Sequence, residues 1–121
     1  MTYKKTLVIG ASVKPERYSN KAIRLLKHYG HPVEAIGLRA GTVDDVRFKT
    51  GFPDLDNIHT VTLYIGPARQ PQYYNYIIGL KPERVIFNPG TENDEFMELL
   101  EKQNIKVVEN CTLVMLNSHI F

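Results

Sequence analysis

Cysteine is almost absent from this chain: Cys111 is the only one in 121 residues. One thiol can neither staple the chain to itself nor build a metal cluster, so a disulfide scaffold is excluded and a reducing, cytoplasmic setting is expected. The four histidines, His28, His31, His59 and His119, stand singly without metal-ligand spacing. Long apolar runs are missing too. The segment Met1-Thr2-Tyr3-Lys4-Lys5-Thr6 leads only into Leu7-Val8-Ile9, far short of a signal peptide or a membrane span. Nor is there a surplus of charge. Fifteen Lys and Arg against thirteen Asp and Glu leave a net +2, too little and too scattered for a surface that grips nucleic acid or anionic lipid. What remains is one globular domain over residues 1–121, long enough for a core and too short for two, in which any anion site must be local.

Short apolar runs rich in β-branched residues recur at Leu7 to Ile9, Val33 to Gly37, Val61 to Ile65, Val85 to Phe87 and Ile105 to Val108, the pattern of buried strands. Helical periodicity fills most of the gaps. Ile23, Leu26 and Tyr29 share a face, with Ser19 as a cap and Gly30 as the left-handed stop. A second helix is expected from Pro71 to Pro82, with Tyr73, Tyr74, Ile77 and Leu80. A third runs from Glu92 to Gln103, with Phe96, Leu99 and Leu100 inward and Thr91 and Asp94 placed as a capping box. The stretch from Leu38 to Ile58 has no clear period and reads as a surface connection with one helical turn near Val43 to Phe48. Strands alternating with helices define an α/β class: a Rossmann-like three-layer α/β/α arrangement around a mainly parallel five-stranded sheet. Such a sheet binds ligands outside the carboxyl ends of its strands.

The segment leaving the first strand carries the chemistry: Gly10-Ala11-Ser12-Val13-Lys14-Pro15-Glu16-Arg17-Tyr18-Ser19-Asn20. Gly10 permits a tight turn, small Ala11 and Ser12 let an anion approach the backbone, and the helix start offers unpaired N–H groups and a positive dipole end. Lys14, Arg17 and Lys21 add positive charge around the same spot, and Ser12, Ser19 and Asn20 add neutral hydrogen bonds. A phosphate or pyrophosphate fits there. By contrast the third helix begins with Glu92, Asp94 and Glu95, which satisfy its dipole and repel an anion.

A dinucleotide fingerprint would read G-x-G-x-x-G, whereas here Ser12 follows Gly10 and Pro15 stands where the third glycine belongs. The acid that usually holds a ribose diol after strand two is replaced by Leu38-Arg39. Arginine there suits a ribose phosphate, either the 3′-phosphate of coenzyme A or the 2′-phosphate of NADP, and disfavours NAD.

On these residues the chain resembles the coenzyme A-binding domain family, the Rossmann-like domain also found in the alpha subunit of succinyl-CoA synthetase and in nucleoside-diphosphate-forming acyl-CoA synthetases. The likeness runs over nearly the whole chain. It rests on Gly10-Ala11-Ser12 with Pro15, Arg17 and Ser19, on Gly30-His31-Pro32-Val33, on Pro53 and Leu55, and on Val107-Val108-Glu109-Asn110-Cys111. The resemblance implies a pyrophosphate over Gly10, Ala11, Ser12, Arg17, Ser19 and Asn20, with adenosine reaching toward Leu38 and Arg39. It also implies that Gly66-Pro67 and Pro89-Gly90 border the cofactor. Stand-alone members usually carry Asn-Pro after strand two, where this chain has Gly37-Leu38. The implied protein carries, senses or regulates through coenzyme A or an acyl-CoA, with no second domain for a phosphohistidine or an ATP site. NADP remains the alternative cofactor, and a ligand-free interaction module the alternative function.

Catalytic candidates are thin. Cys111 and His119 are eight positions apart, and a thiolate–imidazole pair is the only nucleophile arrangement on offer, with a packed cysteine and an unrelated histidine as its plain alternative. His28 suits the end of the first helix. Tyr73, Tyr74 and Tyr76 cover more than one side of their helix, so some are expected to be exposed and to make a homo-oligomer contact. An acyl-CoA enzyme is the other protein partner left open.

Overall fold

The apolar runs pair as read, and their alternation decides which layer covers which face. In the computed structural model, which describes residues 2–121, the strands are β1 (Thr6–Ala11), β2 (Val33–Gly37), β3 (Thr42–Val43), β4 (Val46–Lys49), β5 (Thr60–Leu63), β6 (Arg84–Phe87) and β7 (Lys106–Glu109). They form one sheet in the order β3-β4-β2-β1-β5-β6-β7, parallel throughout except between β3 and β4. The helices are α1 (Tyr18–His28), α2 (Tyr74–Leu80), α3 (Asp94–Lys102) and α4 (Thr112–Asn117). Leu7 and Ile9 face a core built with Val61, Leu63, Phe87, Ile77 of α2 and Phe96 and Leu100 of α3. Val8, between them, faces the opposite core with Ala35, Ile23 and Leu26 of α1 and Leu116 of α4. Side chains alternate across a strand, so one run of three apolar residues serves both layers. Among the described residues no helix is long and apolar enough to cross a membrane.

The sheet has seven strands, not five. The two extra ones lie where a surface connection with a helical turn was expected. Val46 and Phe48 are buried while Arg47 and Lys49 are exposed, a period of two that four residues make too briefly to read with confidence against a helix. Asp44 and Asp45 both adopt positive φ, 46° and 63°, and form the two-residue turn that matches the twist of paired strands. Parallel pairing of Ala35 with Phe48 then extends the sheet beyond β2.

Helix ends differ from expectation in ways that matter for the site. Arg17, not Ser19, occupies the N-cap of α1, in extended conformation and with no side-chain cap. α3 is capped by Asn93, whose side chain accepts from the Phe96 N–H, so Thr91 and Asp94 do not form the box. Gly30, φ 84°, does end α1: the N–H of His31 returns to Leu26 O and that of Gly30 to Lys27 O, the paired bonds of a left-handed stop. None of the three tyrosines around α2 is exposed. Tyr73 is buried, Tyr74 stacks on Phe96 at 4.4 Å, and the Tyr76 hydroxyl donates to Pro53 O at 2.6 Å. They serve the core, and the surface expected for a homo-oligomer contact is absent there.

α4 has no strong sequence signal because its anchor is distant. Asn88, just past β6 and 3% exposed, donates to Thr62 Oγ1 at 2.7 Å and to Leu63 O at 2.9 Å, and its Oδ1 accepts from the Thr112 N–H at 2.9 Å. One amide thus ties β5, β6 and the first turn of α4. Replacing Asn88 by Ala leaves three buried polar groups short of a partner and should cost about 2–3 kcal/mol, read from the urea midpoint.

At the amino end of the sheet, His31 and His59 lie near Lys4 and Arg84. His31 Nδ1 accepts from the Lys4 N–H at 3.0 Å, which requires an unprotonated ring nitrogen. Burial first, then the Lys4 and Arg84 charges, hold His31 below the usual 6.5; burial, then Arg84 and Lys4, do the same for His59, with Glu83 opposing. The unfolded chain therefore takes up these protons more readily than the folded one. Stability should fall as pH drops from about 6.5, the ordinary histidine value. Urea unfolding at pH 7.5, 6.5 and 5.5 checks the direction, and substituting both histidines by Gln should flatten that part of the profile.

Candidate functional site

β1 runs two residues further than β5, and Gly10 makes this possible. It adopts φ 98°, and a Cβ placed there would lie 2.7 Å from Tyr64 O. The register against β2 shifts between Ile9 and Ala11, and after Ala11 pairs with Gly37 the chain leaves the sheet as a loop over the strand ends. The loop is braced from within. Asn20 donates to Ser12 O at 2.9 Å, its Oδ1 accepts from Arg24 Nε at 2.8 Å, and an Arg24 amino group donates to Pro15 O at 3.1 Å. Ser12 Oγ accepts from the Lys14 N–H at 3.2 Å. These bonds point the start of α1 at the carboxyl edge of the sheet.

Above that edge lies a cleft of about 650 Å³. Of the sequence-predicted residues it brings together Gly10, Ala11, Ser12, Arg17, Ser19, Leu38, Arg39, Gly66, Pro89 and Gly90. It does not bring in Asn20, which is buried and spent on bracing the loop, or Pro67, which is exposed at the start of a 3-10 turn. Lys21 also lies outside, with its Nζ 5.2 Å from the Tyr18 ring centre. Val13, Phe48, Tyr64 and Arg69 line the cleft and were not anticipated. Phe48 could not be found without the β3–β4 hairpin. Tyr64 and Arg69 were within reach, because they follow the third apolar run at the end where a parallel sheet binds ligands.

The electrostatics are one-sided. Lys14, Arg17, Arg39 and Arg69 line the cleft and no Asp or Glu does. Among the described residues none of these four cations forms an ion pair. α1 has no acidic residue in its first turn and no side-chain cap, whereas α3 has both. Helix-start N–H groups and cations without ion pairs on a concave surface form a region of positive potential, which favours anions in general. Tyr64 forms part of the wall, but its hydroxyl is buried without a hydrogen-bond partner among the described residues; burial pushes the phenol up to about 12, against a smaller opposing effect of Thr112 and Thr62, so it stays neutral at ordinary pH. Val13 and Leu38, 56% and 74% exposed, give the mouth an apolar lip able to take a planar ring.

No nucleophile is assembled. Cys111 is half-buried at the N-cap of α4, while His119 is exposed with its ring against Tyr29, 6.0 Å between centres. No hydrogen bond joins the two, and the six residues of α4 separate them.

A doubly wound, mostly parallel sheet with a cation-lined cleft at the carboxyl end of its first strand defines a Rossmann-like domain. The family model described as CoA binding domain matches residues 4–117, and the chain belongs to that family. A search of curated proteins finds no match. Among solved structures, an uncharacterised protein is 45% identical over the full length of both chains, with a TM-score of 0.97. A Thermus thermophilus protein is 20% identical with a TM-score of 0.86, covering 98% of this chain and 91% of its own. A hypothetical protein from Pyrococcus horikoshii OT3 is 24% identical with a TM-score of 0.85, covering 98% and 84%. The last two establish likeness of fold.

Gly10 and Arg17 separate folding from binding. Gly10→Val forces a branched side chain into a positive φ against a backbone carbonyl, and should lower stability by about 3 kcal/mol in urea unfolding. Arg17 is exposed at the cleft, so Arg17→Ala should leave stability within about 0.5 kcal/mol of wild type in the same assay.

Proposed function

We propose that this protein binds coenzyme A or an acyl-CoA in the cleft and acts as a carrier, sensor or regulatory subunit. The observation that carries the reading is the acid-free cleft at the uncapped start of α1, where Lys14, Arg17 and Arg39 have no ion pair among the described residues. Membership of the CoA-binding domain family supports the choice of ligand. In this reading the pyrophosphate sits over Gly10, Ser12 and the α1 N–H groups, with Lys14 and Arg17 beside it. The adenine lies along Val13, Leu38 and Phe48, and Arg39 takes the 3′-phosphate. Preformed N–H donors need no reorganisation, so the loop braced by Asn20 and Arg24 contributes affinity by being fixed beforehand. In this reading chemistry at the thioester belongs to a partner enzyme, because Cys111 and His119 do not pair and Tyr64 stays neutral.

Calorimetric titration of ligand-stripped protein with coenzyme A, acetyl-CoA, 3′-dephospho-CoA, NADP and NAD tests this. Coenzyme A and acetyl-CoA should bind, and more weakly as salt is raised. Arg17→Ala should weaken them about tenfold, the scale of one charge-assisted contact. Arg39→Ala should weaken coenzyme A but not its 3′-dephospho form. Preference for NADP, or heat from none of the five, would overturn the proposal.

A further inference from the structure

Coenzyme A carries all of its phosphate charge on the nucleotide half, and its pantetheine arm is neutral. The cleft does not divide its cations that way. Lys14 and Arg17 belong to the loop after β1 and Arg39 follows β2, whereas Arg69 stands beyond β5. In the sheet, β2 and β5 flank β1 on opposite sides, so the loops that carry Arg39 and Arg69 leave strand ends about 10 Å apart, two strand spacings. With the nucleotide on the β1–β2 side, the fourth cation faces the arm and whatever the arm carries, where coenzyme A itself has no charge to offer it.

Arg69 is also held in place. It ends a short 3-10 turn, Pro67–Arg69, whose Arg69 N–H donates to Gly66 O at 3.0 Å. The next residue, Gln70, is fully buried; its Nε2 donates to Ile65 O at 3.0 Å and to Thr91 O at 2.7 Å, and its Oε1 accepts from Asn93 Nδ2 at 3.0 Å. This side chain bolts the loop after β5 to the loop after β6. The Gln72 amide donates to Arg69 O at 3.3 Å. The Arg69 backbone is therefore fixed from both sides while its side chain is exposed in an acid-free wall and has no ion pair among the described residues. A cation on a rigid support, left without a partner, is the arrangement that recognises an anion at a defined distance.

Resting on the coenzyme A reading of the cleft, we infer that Arg69 is a specificity residue for the acyl group, and that the ligand class is a CoA thioester whose acyl chain ends in a carboxylate. The guanidinium pairs with that carboxylate and discriminates against an uncharged acyl chain of the same length.

Glutaryl-CoA and valeryl-CoA have acyl chains of equal carbon length and differ in a terminal carboxylate against a methyl, so they isolate the effect. Wild-type protein should bind glutaryl-CoA about tenfold more tightly than valeryl-CoA, the scale of one charge-assisted pair. Arg69→Gln should erase that preference and leave coenzyme A itself within about twofold, and Arg69→Lys should keep part of it, because a point charge without the planar fork remains. Equal binding of the two thioesters by wild type would overturn the inference. So would an Arg69→Gln variant that loses affinity for all forms alike, which would assign Arg69 to the phosphates. Failure of every CoA species to bind would instead overturn the coenzyme A reading, and this inference with it. Thermal melting of each variant confirms the fold, which an exposed side chain on a loop bolted by Gln70 should leave unchanged.

Discussion

The close approach of β1 to the end of β5 is the contact on which the rest of the site depends. Tyr64 N–H donates to Ile9 O at 2.8 Å, and one residue later the Tyr64 carbonyl fills the space that a Gly10 side chain would need. Only a residue without Cβ can follow β1 past this point at positive φ. The chain then rises over the strand ends, Ser12 is gripped by Asn20, and α1 starts with Arg17, Tyr18 and Ser19 along the cleft. A side chain at position 10 would push the loop away from the sheet before any ligand arrived.

The two ends of the sheet spend positive charge differently. At the amino end, Lys4 and Arg84 are engaged by groups of the protein itself, although one buried Arg84 amino group has no hydrogen-bond partner among the described residues. Arg84 Nε donates to Thr60 Oγ1 at 2.8 Å and its guanidinium lies 4.4 Å from the centre of the Phe121 ring, while the Lys4 ammonium donates to Phe121 O. The nearby histidines accommodate this charge by staying neutral. At the carboxyl end, four cations stand without ion pairs among the described residues. Cations engaged within the fold at one end contribute to structure, while those left without ion pairs at the other give the cleft its positive character.

The buried polar groups Asn88 and Gln70 divide the remaining work. Asn88 links two strands to α4, and Gln70 links the loops after β5 and β6. Each places in the core an amide with more than one partner, which is how a small sheet keeps its ligand-facing loops fixed without long helices over them. Loop rigidity at the cleft thus comes from residues that do not touch the ligand space, as with Asn20 below Ser12.

Local pattern was enough for the layered fold. Runs such as Leu7-Val8-Ile9 and the period of α1 are set by neighbours a few residues apart, and the loop from Gly10 to Ser19 announced itself by composition. Where contacts are distant, pattern failed. The β3–β4 hairpin depends on Phe48 finding Ala35, α4 on Asn88 finding Thr112, and the burial of Tyr73, Tyr74 and Tyr76 on Phe52, Phe96 and Pro53. The same distinction holds within the cleft. That a loop of small residues and cations leaves the first strand and leads into a helix start could be read from the sequence alone, because glycine, small side chains and a helix start act locally. Only tertiary structure decided that Asn20 braces the loop instead of lining the cleft, and that Arg69 joins Arg17 and Arg39 around one space. Strand order, which brings together residues far apart in the chain, is set by packing across the whole sheet and leaves no local trace.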